Sequence, residues 1–498
     1  MIRLQLLLPV LLSTVALIAT ASAQNPSTAA LPGSILDRFS TLPLPGSETG
    51  AWTAQQIATM SRLRDAAMGD DYAYSQLAYL TDTIGPRLAG SLQAGAALER
   101  VAAQMRSHGA VVTLEKTAVP HWVRGEETAA LTQWPGKVVG TTQKIVLTAL
   151  GNSVATPAAG ITAPVLVVDS FTQLQALPAG VVRGKIVLFN RRFDQELTSQ
   201  GQGLEAYLQN APYRYLGPSV AASLGAAAVL VRSLGNADFR LPHTGVTQYV
   251  EGGINVPAAA VTAEDAELLR RLAQQGTVMM RLTLTPQTLP PAISYNVIAD
   301  WKGAEHPEQV VIVSGHLDSW DLGTGAIDDG AGVVTAMEAI QLLQSMNIHP
   351  RRTVRFVAWM NEEFGASGAA TYGKEHAAEF ADHVAVMESD RGCDHPTGLL
   401  LSSPALKKYL APVGEALEPI GAGVLTSVEQ IPSEDLIPMS SGGVPSLVPA
   451  QDMRFYFNYH HTAADTLDKV DKHHLAENAA VVVVTAYALA DASTPAPR

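Results

Sequence analysis

One cysteine, Cys393, occurs in 498 residues. It can form neither an intrachain disulfide framework nor a cysteine-rich zinc site, so any bound metal must rest on His, Asp and Glu. Basic charge is scarce as well. Lys and Arg number 33 against 46 Asp and Glu, a net charge of −13, and no basic cluster could neutralise a phosphate backbone, which excludes nucleic acid as an expected partner. Beyond the N-terminus, no stretch approaches about 18 uninterrupted apolar residues, so no internal membrane span is expected. The chain is 47% hydrophobic and 16% charged, as a globular protein of two to four domains should be.

At the N-terminus, Arg3 precedes a largely apolar run from Leu4 to Ala19, and Ala21-Ser22-Ala23 follows. A basic start, an apolar stretch and a small-residue exit read as a cleavable secretory signal, cut after Ala23. A soluble, exported protein, secreted or periplasmic, with no membrane attachment after cleavage is the expectation. Residues 24–50 are rich in Pro, Ser, Thr and Gly and read as an extended lead-in. Helical patterns follow at Thr53–Ala67 and Tyr72–Thr83, and Ser91 is placed to cap a helix over Leu92–Ser107.

The texture changes between 126 and 289. Short β-rich runs such as Val165–Val168 and Lys185–Phe189 alternate with Gly and Pro turns, and Ala221–Leu224 reads as a small-residue helix. This stretch holds only an isolated His243, so it reads as an inserted, non-catalytic domain that shapes access to a site elsewhere. The catalytic domain is then 51–125 together with 290–498.

The resumed segment carries the chemistry. Val310–Val313 is a continuous β-branched run, as expected of a strand covered on both faces, and it leads into His316-Leu317-Asp318-Ser319-Trp320-Asp321. A glycine-rich loop reaches Asp328-Asp329-Gly330 and a helix from about Val333. A second strand, Thr353–Met360, ends in Asn361-Glu362-Glu363, and a third, His383–Met387, in Glu388-Ser389-Asp390. Strands alternating with helices imply parallel pairing with right-handed crossovers, and such sheets bind ligands at the carboxyl ends of their strands. His316, Glu362, Glu363 and Asp390 should therefore meet along one edge. A further candidate lies downstream in His460-His461-Thr462-Ala463-Ala464-Asp465-Thr466, and the sequence leaves open which histidine is the ligand.

Each piece alone has a plainer reading. Asp328-Asp329-Gly330 is a solvated turn, Glu362-Glu363 a helix start, a single histidine a structural one, and Trp320 or Tyr459 packing. Their joint order, each in a position where the strand reading places a loop, points instead to a metal site. The other eleven histidines show no such arrangement and read as structural.

Segments 315–332, 361–365, 388–392 and 461–466 together resemble the co-catalytic di-zinc exopeptidases, which include bacterial aminopeptidases and glutamate carboxypeptidases. The His316–Asp321 stretch followed by Asp328-Asp329-Gly330 is most similar to the plasma glutamate carboxypeptidase branch. The resemblance implies an α/β fold with a mixed, mainly parallel sheet, helices on both faces, and an inserted β-rich protease-associated domain. It implies two zinc ions bridged by Asp328, with His316 and Asp390 on one ion and Glu363 and His461 on the other; manganese or cobalt would also suit these ligands. It further implies Glu362 as general base, Asp318 as acceptor of the distal His316 N–H, a cis peptide between Asp328 and Asp329, and a substrate-side loop at Ser433-Glu434-Asp435. The implied activity is hydrolysis of dipeptides or short peptides with a free N-terminus. Two ions bring four positive charges, matched by Asp328, Glu363, Asp390 and one hydroxide. Rival readings are a single-zinc aminoacyl cyclotransferase of the glutaminyl cyclase kind and a non-catalytic receptor on the same scaffold. Side-chain preference and oligomeric state, a homodimer included, are left open.

Overall fold

Four parallel strands form the centre of a mixed eight-stranded sheet in the computed structural model, which describes residues 51–236 and 239–498. The signal and lead-in expectations lie outside the described residues. Arg352–Trp359, His306–His316, His383–Glu388 and Ser446–Gln451 lie side by side in that order, all parallel. Antiparallel strands flank them: Gln287–Trp301 and Val111–Val123 on one side, and Pro396–Leu401 on the other, with Val424–Ser427 parallel to it at the edge. The β-branched run behaves as its composition demands, since Val310, Val311, Ile312 and Val313 are all buried. After the His306–His316 strand the chain moves first to the Arg352–Trp359 side and then crosses to the His383–Glu388 side. The order thus reverses beside His316, and such a reversal opens a crevice at the strands' carboxyl ends.

Helices cover both faces. Ala54–Met68, Leu92–Ser107, Ala331–Ser345 and the C-terminal Lys472–Asp491 pack with the sheet into the largest apolar cluster, and Ser367–Glu375 contributes to another on the opposite face. The C-terminal helix is apolar nearly all round from Ala479 to Ala490 and is buried along that length, as an all-apolar helix must be. Thr53 forms a capping box with Gln56, and the Ser91 hydroxyl accepts the Ala94 N–H, both fixing helix starts by satisfying otherwise orphaned donors. The helix expected over Tyr72–Thr83 stops at Ala78 and continues as a π-helical turn, Tyr79–Ile84.

A second eight-stranded sheet spans Glu127–Leu284. The β-rich reading of this stretch is incomplete. Five helices accompany the strands, among them Gly203–Tyr215 and Ala263–Ala273; the small-residue helix lies at Gly217–Ser223, displaced from its expected place. The small-residue segment around Gly217–Ser223 carries little amphipathic signal, whereas Ala263–Ala273 has a Thr262 cap, acids in its first turn and arginines in its last that mark it as a helix. The two sheets are joined by an antiparallel ribbon in which Val123 pairs with Gln287. They also share apolar packing: Leu88 and Trp320 of the catalytic part are buried in one cluster with Leu131, Leu188 and Leu282 of the insert.

One buried acid has no part in the site. Glu338, 1% exposed, accepts the Ala73 N–H at 3.0 Å through Oε2, and its Oε1 has no partner. Burial, with Asp70 adding repulsion, pushes its carboxyl up to about 8 from a reference of 4.5. The fold therefore binds this proton more tightly than the unfolded chain does, so its stabilising effect is complete below pH 4.5 and is lost as pH rises through about 8. Glu338→Gln keeps an acceptor for Ala73 without an ionisable group. The variant should melt with the wild type at pH 4.5 and above it at pH 8; parallel melting curves from calorimetry at both pH values would refute the assignment.

Candidate metal centre

The strand ends deliver the side chains to one place. His316 closes the His306–His316 strand, Glu362 and Glu363 follow Arg352–Trp359, and Asp390 follows His383–Glu388. Asp328 lies in the turn before the helix Ala331–Ser345, and the Asp328–Asp329 peptide is cis. His461 enters from the segment after Tyr456–Tyr459.

His316 Nε2 is 3.3 Å from Asp328 Oδ1 and 3.6 Å from Asp390 Oδ1. On the other side, His461 Nε2 is 3.3 Å from Asp328 Oδ2 and 3.0 Å from Glu363 Oε2. One Asp328 carboxylate therefore stands between two groups, each with an imidazole and a further acid. His460 Nε2 also comes within 3.6 Å of Asp328 Oδ2. Its ring stacks on His461 and packs among Tyr207, Tyr456 and Phe457. The geometry favours His461, which adds the short contact to Glu363.

The supports are largely backbone N–H groups and carbonyls. The Asp318 carboxylate, fully buried, accepts N–H groups of Asn361 at 2.5 Å, Glu362 at 3.1 Å and Glu363 at 3.4 Å. Its expected contact with His316 is made differently: the Asp318 backbone carbonyl lies 3.0 Å from His316 Nδ1, whereas the carboxylate is 3.9 Å away. The carboxylate has been drawn onto the turn that presents Glu362 and Glu363, where Asn361 holds a left-handed φ of 75°. Asp329 accepts the His316 N–H at 2.9 Å and the Gly332 N–H at 3.1 Å, so it braces the strand end while also lying near His316 and Asp390.

Three supports were not read from the sequence as such. Arg87, fully buried, donates to the carbonyls of Leu317, Thr324 and Gly325 at 2.8, 2.7 and 2.9 Å. Asp465 accepts the Ala326 and Ile327 N–H groups at 2.8 Å each. The insert supplies the third: the Thr244 N–H donates to the His461 carbonyl at 2.9 Å, the Thr244 carbonyl lies 3.3 Å from His461 Nδ1, and buried Arg214 sits 3.5 Å from the same nitrogen. The insert thus orients a proposed metal ligand and does more than shape access. The loop expected on the substrate side does lie beside the site, with Asp435 near Glu388 and Glu362. The Ser433 hydroxyl donates to Glu388 and Asp435 is fully buried, leaving Glu434 as the exposed member of that loop.

Electrostatically the cluster is an excess of buried acid. Burial, then repulsion among the neighbouring carboxylates, pushes Glu363 well above the usual range, and burial opposed by His316 but reinforced by Asp390 does the same to Glu362. Burial, then His460, drives His461 well below its usual value, and Arg214 adds to this; the imidazole is kept neutral, the form that binds metals. Glu363 Oε1 is buried without a partner. Carboxylates this crowded ionise together only around a cation, and imidazole plus carboxylate is a zinc-type donor set. The residues fit a metal.

Paired imidazoles and carboxylates at a switch point, with a free glutamate beside them, define a metal-dependent hydrolase site. The profile of Peptidase family M28 matches residues 296–486. Carboxypeptidase Q of Homo sapiens is 37% identical over 429 residues, 86% of this chain and 87% of that protein. Aminopeptidase YwaD of Bacillus subtilis is 27% identical over 356 residues, 70% of this chain and 66% of that protein. Among solved structures, a peptidase M28 precursor from Shewanella amazonensis SB2B aligns with a TM-score of 0.83 at 34% identity, covering 89% of this chain and 98% of that one. The chain belongs to peptidase family M28 and is a metallopeptidase.

Because Asp318 holds three N–H groups of the Glu362–Glu363 turn, Asp318→Ala should lower metal affinity or activity about 10- to 100-fold without removing a ligand. Metal content by mass spectrometry and turnover on the same preparation check this; wild-type values for both would show the turn to be held by something else.

Proposed function

We propose that this protein is an exported zinc exopeptidase that hydrolyses dipeptides or short peptides with a free N-terminus, using two ions. The observation that carries the proposal is the convergence of His316, Asp390, Asp328, Glu363 and His461 around a shared Asp328, with Glu362 alongside. His316 and Asp390 would hold one ion, Glu363 and His461 the other, and Asp328 both. Bound there, zinc supplies Lewis-acid polarisation of a peptide carbonyl and activation of water.

The chain's own residues do the rest. Glu362 follows the same turn as Glu363 but is only partly buried, so it faces the crevice rather than the protein interior. Burial and the neighbouring acids raise its proton affinity, which suits a group that takes a proton from water and returns it to the leaving amine. Glu362, Asp390 and exposed Glu434 give the site an acidic mouth. That charge favours a substrate bearing an ammonium group, and so a free N-terminus. The insert closes around His461, which suits short substrates. Both named relatives, carboxypeptidase Q and an aminopeptidase, are exopeptidases by name, and the Arg3–Ala23 pattern supports export. Among the described residues no helix is long and apolar enough to cross a membrane.

Glu362→Gln should retain metal and fold while kcat on dipeptides falls about 10²- to 10⁴-fold. Asp328→Ala should lose metal as well as rate. Near-normal turnover in the first variant, or unchanged metal stoichiometry in the second, would overturn the assigned roles.

A further inference from the structure

A second group of metal-capable side chains shares no residue with the first. Asp394 and His395 lie between Asp390 and the strand Pro396–Leu401, and the C-terminal helix carries His473, His474 and, a turn later, Glu477. Donor atoms of His395, His474 and Glu477 all lie within 4.8 Å of one another. His395 Nδ1 is 2.8 Å from Glu477 Oε2, and His473 Nε2 is 3.4 Å from Glu477 Oε1. Asp394 Oδ1 stands 3.9 Å from His474 Nδ1, a buried nitrogen without a hydrogen-bond partner.

The framework is held before any ion arrives. Glu477 is 6% exposed on the buried C-terminal helix, and spacings of three and four residues bring His474 and His473 onto its face. The buried Asn478 amide donates to the carbonyls of Asp394 at 3.0 Å and Cys393 at 3.3 Å, pinning the loop to the helix. The His395 carbonyl accepts the Asp452 N–H at 3.0 Å. An ion-pair network without metal leaves His474 Nδ1 unsatisfied.

We infer that His395, His474 and Glu477 form a second divalent-cation site, with Asp394 and His473 as further donors beside it. Two imidazoles and a carboxylate select zinc, cobalt, nickel or copper over magnesium and calcium, which demand oxygen ligands. At bond lengths of about 2.0–2.2 Å, tetrahedral ligand atoms stand roughly 3.3 Å apart. The His395–Glu477 pair, at 2.8 Å, is already closer than that, and the donor atoms of all three ligands lie within 4.8 Å of one another, so the three can converge on one ion with small adjustments. An ion here would tie the segment that begins at Asp390 to the first turns of the C-terminal helix. Its effect would be on the stability of the fold and not on the peptidase chemistry. Two of the histidines that show no motif in the sequence, His395 and His474, are thus joined by the fold.

The full mature protein, stripped with a chelator and titrated with zinc chloride, decides the matter. Native mass spectrometry should count one more zinc in the wild type than in His395→Ala/His474→Ala, with kcat unchanged by the double substitution. Zinc added beyond the amount that saturates activity should raise the melting temperature of the wild type and not of the variant. Asp328→Ala should keep this ion while losing those of the peptidase site. Equal zinc counts in wild type and double variant, or loss of every zinc in Asp328→Ala, would overturn the proposal. Should the double variant misfold by circular dichroism, His474→Gln alone carries the same comparison.

Discussion

Burying like charge is the constraint on which the catalytic part of this molecule is organised. Asp318, Asp328, Asp329, Glu362, Glu363 and Asp390 are brought within one small volume, all but Glu362 and Asp390 essentially out of contact with water. Unpaired charges in such a setting cost several kcal/mol each. The fold meets this cost in two ways. Acids with a structural task are saturated with N–H groups: three on Asp318, and two each on Asp329 and Asp465. Acids at the centre are left facing imidazoles and one another, an arrangement that only a cation can complete. Chemistry is thereby separated from support among residues that are chemically alike.

Arg87 shows how much of the frame serves that separation. It is a fully buried cation that nonetheless makes no ion pair among the described residues; its guanidinium is spent on three main-chain carbonyls of the Leu317–Gly325 segment. Burial lowers its proton affinity while Asp465, Asp318 and Asp329 raise it. It therefore offsets part of the acid surplus at a distance without competing for the carboxylates that hold metal. A lysine could supply the charge but not the planar fork that reaches several carbonyls at once.

How much of this was legible in the sequence follows from how each contact is made. Residues that sit at the ends of β-branched runs, His316, Glu362, Glu363 and Asp390, could be placed because strand period and the carboxyl-end rule are local signals. So could the caps at Thr53 and Ser91. Asp318 does meet the distal His316 nitrogen, but through its carbonyl, since nothing in His-x-Asp spacing shows that the carboxylate turns away to the N–H groups of residues more than 40 positions on. Arg87, Thr244 and Arg214 reach the site from distant segments by tertiary packing alone. His395 and Glu477 lie 82 positions apart, and no motif search joins them. That Asp435 is fully buried beside Glu388 and Glu362 is likewise a tertiary fact with no local signal.

Besides Arg214 and Thr244 at His461, a buried cation couples the insert to the loop that carries His316. Arg124, in the turn after the strand Val111–Val123, donates to both oxygens of Asp321 at 2.7 Å, to Glu127 at 2.8 Å, and to Thr148 and the Ala149 carbonyl at 2.7 Å each. Asp321 belongs to the His316–Asp321 segment; Glu127, Thr148 and Ala149 belong to the insert. Bidentate contact with a carboxylate fixes direction as well as distance, so the catalytic loop and the second sheet share one orientation at this point. Trp320, next to Asp321, is buried among insert residues and lies with its ring 5.6 Å from that of His461. Thr244 then closes the circuit by holding the other side of His461. A displacement of the insert must therefore either break a buried ion pair or move an imidazole proposed to bind metal. Access to the cleft and geometry of the metal site are consequently not independent variables in this fold. That coupling explains why a stretch without ligands of its own is packed so closely against them.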